Sequence, residues 1–202
     1  MNSKGWILAG TLAGLSLVGS VRAAEAEDPH AACSVPPAFV PTEILKRPVP
    51  LRQGIGNSHE QVTTSQAKAQ AYYDQGLNYL ESYVWIEAAR SFNEAIRIDP
   101  KLAMAYLGLS RVYSGLDDPG AASLYLDKAK ANAGGISDGG RRRLEIRSRQ
   151  LDAMADLEDG DRFLAYKKAI DDALAADMDN PQLWLLRGNA EESNASGRGQ
   201  RG

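Results

Sequence analysis

The feature that most restricts this chain is a recurrence. Tyr72, Tyr79, Ala88, Phe92 and Ala95 return 34 residues later as Tyr106, Tyr113, Ala122, Leu126 and Ala129. Ala69 and Ala71 return at the same offset as Ala103 and Ala105. Seven pairs matched in kind at one spacing point to a unit used more than once. From Thr64 onward the chain also runs in long helical periodicity without internal proline, which predicts helices at 65–81, 85–98, 101–115 and 119–132. Asp117-Asp118-Pro119 suits a cap followed by a helix-starting proline. Gly134-Gly135 suits the end of the second helix pair.

The first copy reads Tyr72, Gly76, Tyr79, Ala88, Phe92, Ala95 and Pro100, with spacings of 4, 3, 9, 4, 3 and 5. In this the chain resembles the tetratricopeptide-repeat (TPR) family. The resemblance implies an all-α fold, a right-handed α-solenoid of antiparallel helix hairpins. Within it Gly76 and Ala88 lie where the two helices of a hairpin approach, so only small side chains fit. Tyr72, Tyr79 and Phe92 fill the space around that contact, Ala95 admits the next hairpin, and Pro100 ends the second helix because it cannot continue the hydrogen-bond ladder. Two departures stand out: Gln75 at a place that is usually leucine, and Ser110 where the glycine would recur.

The resemblance covers roughly 69–190, with repeats at about 69–102 and 103–136, an irregular third unit at 137–181 and a partial fourth at 182–192. In the third unit Ala169, Ala173, Ala176 and Pro181 keep the small residues and the final proline, with Ala173 where Phe92 would be. Ala122 and Ala169 lie 47 residues apart rather than 34, so 13 residues are inserted, expected in Gly134–Arg143 and in a helix extended to Leu157. The expected apolar face of that helix is Leu144, Leu151, Met154 and Leu157. A turn at Gly160-Asp161 and a helix at 163–177 complete the unit. Trp184-Leu185-Leu186-Arg187-Gly188 then opens a further first helix whose partner never arrives, as 193–202 becomes a flexible tail rich in Gly, Ser and Arg. This predicts either a capping helix or a piece of a longer protein.

Lys4, the apolar stretch Trp6–Val18 and Val21-Arg22-Ala23 describe a secretory signal peptide over 1–23, too short in its apolar part for a bilayer core of about 30 Å. The expected location is therefore periplasmic or secreted. Residues 24–62 hold six of the nine prolines and are expected to form a Pro-rich linker, disordered or extended and more mobile than docked, ahead of a helical domain at 63–192.

Little in this chain points to catalysis. A single cysteine, Cys33, excludes an intrachain disulfide, and His30 and His59 lie in the linker, where nothing fixes ligand geometry. A net charge of -3 suggests neither nucleic acid nor an anionic membrane as a partner. Asp156-Leu157-Glu158-Asp159-Gly160-Asp161 has its glycine one place early for a calcium loop and reads as a solvated acidic turn. Arg141, Arg142, Arg143, Arg147 and Arg149 read mainly as a solvated helix face, with an acidic partner as the functional alternative. No cofactor or metal is expected.

The resemblance implies a concave groove lined by the first helix of each hairpin. Tyr73, Leu77, Leu80, Glu81, Leu107, Arg111 and Ser114 are its expected partner-binding residues, with Met154 and Glu158 extending the row. Chaperone-binding members of the family clamp a peptide carboxylate with Lys and Asn, but Tyr73, Leu77 and Gly108 stand here, so that clamp is absent. The expected function is an extracytoplasmic scaffold that binds an apolar or mixed peptide, or a protein surface, and is not an enzyme. The alternatives are the regulatory TPR portion of a longer enzyme and a structural component of an envelope assembly.

Overall fold

The computed structural model describes residues 40–192, which are helices and turns without a strand. The expected signal peptide, the linker as far as residue 39 with His30 and Cys33, and the tail from 193 lie outside the described residues. A short α1 (Thr42–Leu45) precedes α2 (Ala67–Glu81), α3 (Trp85–Ile98), α4 (Ala103–Gly115) and α5 (Pro119–Ala131). A 3-10 turn at Ala133–Gly135 leads to α6 (Asp138–Ala155), α7 (Gly160–Ala176) and α8 (Pro181–Glu192). From α2 onward each helix packs on the next, most extensively α2 on α3, α4 on α5 and α6 on α7; α1 packs on α3, and α4 also touches α2 and α6.

Small residues set these contacts. Ala88, Ala95, Ala122 and Ala129 are fully buried, as is Ser110. The Phe92 ring lies between α2 and α4, so that a Cβ built on Gly76 would meet it at 2.5 Å and one built on Gly108 would also meet it at 2.5 Å. The recurrence extends to the backbone of the turns. Val84 N–H donates to Tyr79 O and Asp118 N–H to Tyr113 O, both at 2.9 Å. Tyr83 and Asp117, again 34 apart, both take left-handed backbone at φ 60° and 57°. A side chain rarely adopts that region, so its use at the same step of both turns reflects a shared turn geometry and not local preference.

Capping explains where the later helices start. Asp118 accepts from Ala121 N–H at 2.8 Å with Pro119 in the first turn, Ser137 accepts from Gly140 N–H at 3.1 Å, and Asp159 accepts from Asp161 and Arg162 N–H. The expected turn at Gly160-Asp161 is thus already the first turn of α7, and α6 begins five residues inside the segment expected to be an insertion. α6 ends at Ala155, short of the expected Leu157; on it Leu144 is buried and Leu151 partly so, but Met154 is exposed, as is Leu157 beyond its end. Ile146 and Ala153 are buried instead, in a second apolar cluster with Phe163, Tyr166, Ile170, Ala173, Leu174, Leu183 and Ala190.

The described part of the linker is docked, contrary to the expectation of a mobile segment. Leu45, Val49 and Val62 are buried in the first apolar cluster. Prolines remove donors but leave carbonyls, and side chains of α2 and α3 donate to those carbonyls. Tyr72 Oη reaches Val49 O at 3.0 Å, Asn93 Nδ2 reaches Leu45 O at 3.0 Å, and Arg90 spans Arg47 O and Pro48 O. Gln75, the polar departure from an apolar position, is explained here. It is buried, accepts from Arg52 N–H at 2.7 Å and donates to Pro50 O at 3.1 Å.

Candidate functional site

Side chains of α2, α4, α6 and α8 converge on one hollow, a cavity of about 80 Å³. Tyr73, Leu77 and Glu81 come from α2, and Leu107 and Arg111 from α4. These five of the expected groove residues are brought together. They are not open, however: Tyr73, Leu77 and Leu107 are buried because Glu60 of the docked segment, Arg143, Ile146 and Arg147 of α6, and Gln182, Leu183 and Leu186 of α8 enclose the same space. Leu80 is buried in the first apolar cluster, outside the cavity lining. Ser114 is occupied by Arg147 at 2.6 Å. Met154 and Glu158 are exposed and do not extend the row to this hollow.

Polar groups knit the rim. Tyr73 Oη donates to Glu60 at 2.9 Å, and Glu60 also pairs with Arg143. Glu81 accepts from Ser58 Oγ and from Gln182 Nε2, which ties α2 to α8. The cavity adjoins an outer cleft of about 760 Å³ that shares Glu60, Glu81, Arg143, Gln182 and Leu185 and adds Asp177, Asp179 and Asn180.

Arg147 is the residue that the sequence reading misplaced. It is buried, not solvated: Nε donates to Ser110 Oγ at 3.0 Å, Nη2 to Ser110 O at 2.6 Å and to Ser114 Oγ, and Nη1 to Gln150 at 2.6 Å. Burial, reinforced by the neighbouring Arg111, pushes its pKa down to about 9. A signal was available, because Arg147 is three residues after Leu144 and four before Leu151, in the middle of the apolar stripe. Of the other arginines of the run, Arg141 pairs with Asp138, Arg143 with Glu60 and Arg149 with Glu145. In the acidic turn, Asp159 caps α7 and pairs with Arg162.

Arg111 differs from all of these. It lines the cavity and makes no hydrogen bond or salt bridge with a described residue, although Tyr73 and Glu81 are near enough to act on it electrostatically. Burial lowers its pKa. Burial acts on Tyr73 in the opposite sense for a phenol and raises its pKa well above the ordinary 10.0. The folded chain therefore holds this proton after the unfolded chain has lost it, so the contribution is intact below pH 10.0 and is lost as pH rises beyond it. Tyr73→Phe is expected to lose about 1.4 kcal/mol less stability than the parent chain for each pH unit above that point, measured by urea unfolding in parallel buffers.

No family model matches the chain, and no curated protein or solved structure is similar to it at a significant level.

Proposed function

We propose that this chain is a tetratricopeptide-type interaction scaffold, a right-handed solenoid of helix hairpins that acts outside the cytoplasm after removal of residues 1–23. What carries the reading is convergence: corresponding faces of α2 and α4 point into one hollow, which continues into an outer cleft wide enough for a peptide segment. The repeat of turn geometry at Tyr83 and Asp117 supports the hairpin assignment. Among the described residues no group of three or more His, Cys, Asp or Glu is arranged to hold a metal.

The partner binds at the outer cleft and not on the floor of the groove, since α6, α8 and the docked segment cover Tyr73, Leu77 and Leu107. The cleft offers apolar Leu185, which is 59% exposed, beside Glu81, Arg143 and Asp179, a mixed surface suited to a peptide or protein face of mixed character. Photo-cross-linking from position 185 in an extracytoplasmic extract tests this, with position 124 of α5, 53% exposed and not part of the cleft lining, as the comparison. A defined adduct from 185 and none from 124 is expected. Equal labelling from both, or turnover of a small substrate without any adduct, refutes the scaffold reading.

A further inference from the structure

Charge around the inner cavity is unbalanced at contact range. Of the two carboxylates in its wall, Glu60 is engaged by Tyr73 and Arg143, and Glu81 by Ser58 and Gln182. Arg147 is satisfied only by neutral oxygens, those of Ser110, Ser114 and Gln150. Arg111 has no hydrogen-bond or salt-bridge partner among the described residues. Two guanidinium groups, of buried Arg147 and half-buried Arg111, thus line the cavity without a hydrogen bond or salt bridge to a carboxylate among the described residues. Buried charges are normally paired, and a buried polar group without a partner calls for an explanation. The lining also includes apolar Leu77, Leu107, Ile146 and Leu186.

We infer that the cavity between α2, α4, α6 and α8 is a binding site for a small organic carboxylate with a short apolar chain, its carboxylate on Arg111 and Arg147 and its chain against Leu77, Leu107, Ile146 and Leu186. The planar guanidinium of Arg111 supplies paired donors that match a carboxylate, and Arg147 is held in place by α4 so that it adds fixed positive potential. A volume of about 80 Å³ suits a few-atom chain and excludes a folded peptide. Asp177 and Asp179 at the outer cleft are exposed to solvent, where salt screens them over about 8 Å at physiological ionic strength, so they do not cancel the inner charge. The inference is independent of the scaffold reading, because a small molecule on the isolated chain gives the same answer whether or not a macromolecular partner exists.

The test is thermal unfolding of the full chain titrated with sodium butyrate, sodium hexanoate, sodium chloride at matched ionic strength, and butylammonium chloride. Butyrate or hexanoate is expected to raise Tm saturably by roughly 3–6 °C at about ten times Kd, while chloride and butylammonium leave it unchanged. In Arg111→Met the carboxylate-dependent rise is expected to vanish, whatever the variant's own Tm, and Arg111→Lys is expected to keep a weakened rise. The absence of a carboxylate-specific rise in the parent chain overturns the inference, as does an equal rise in Arg111→Met. Stabilisation by butylammonium in place of butyrate overturns it too, since Glu60 and Glu81 would then govern the cavity. If Arg111→Met does not fold, the four titrations of the parent chain decide alone.

Discussion

Phe92→Ala is expected to lower unfolding free energy by roughly 3–5 kcal/mol, one of the two largest effects of a single substitution in this chain. The ring is fully buried and lies between two glycines, so its removal opens a space that helix backbones on both sides must collapse to fill. The same geometry predicts the reverse perturbation. Adding a methyl at Gly108 places it 2.5 Å from Cζ of Phe92, and the ring has little room to retreat, since it packs so close to Gly76 on the other side that a Cβ built there would also lie 2.5 Å from Cε1. Overpacking of this kind costs about 1–3 kcal/mol, against a gain of about 1 kcal/mol in helix propensity for Ala over Gly. A net loss of up to about 2 kcal/mol is expected for Gly108→Ala, with partial recovery in Gly108→Ala/Phe92→Leu through a coupling of about 1 kcal/mol. Urea unfolding of the four chains reads this directly. Stabilisation by Gly108→Ala alone would mean that the ring is not clamped between the two helices.

The second large effect is expected at Arg147, and its size depends on the replacement. Arg147→Lys keeps a buried cation but cannot span Ser110 Oγ, Ser110 O, Ser114 Oγ and Gln150 with one ammonium group, so roughly 3 kcal/mol of stability is expected to be lost. Arg147→Met loses the same bonds but also removes the charge whose burial is costly, and the expected loss is only about 1 kcal/mol. The apparently conservative change is therefore the worse one. Denaturant midpoints for the two variants give the order, and a Met variant less stable than the Lys variant would show that the bonds to α4 outweigh the cost of burying the cation.

How much of this was readable beforehand differs by element. The helices of residues 67–131 were legible because alanine and aromatic positions recur at a fixed offset, and most of those positions are buried in the structure, with Ala71, Tyr79 and Tyr106 partly so. The docked segment was not legible from proline content, which speaks to missing donors. Its anchoring depends on free carbonyls at Leu45, Val49 and Pro50 and on donors more than twenty residues away at Asn93, Tyr72 and Gln75. Gln75 held the clue, as a polar side chain at a position where the pattern wants an apolar one. The row of expected groove residues was found in large part, but not its cover. Which face of α6 turns inward is settled by packing on α4 and α7, and no periodicity within 138–155 distinguishes Ile146 and Ala153 from Met154 strongly enough to fix it. Arg147 was hidden among four surface-seeking arginines, and its neighbours Leu144 and Leu151 were the only hint.

The link from Gln182 to Glu81 joins side chains 101 positions apart. In a stack whose members touch only those adjacent in sequence, fraying can start at one end and travel inward while the rest stays folded. Here the last described helix, α8, touches the earliest long one through that side-chain pair, so α8 cannot loosen without stripping Glu81 of a partner. That bond couples the unfolding of α8 to α2 more tightly than contact between sequence neighbours alone would.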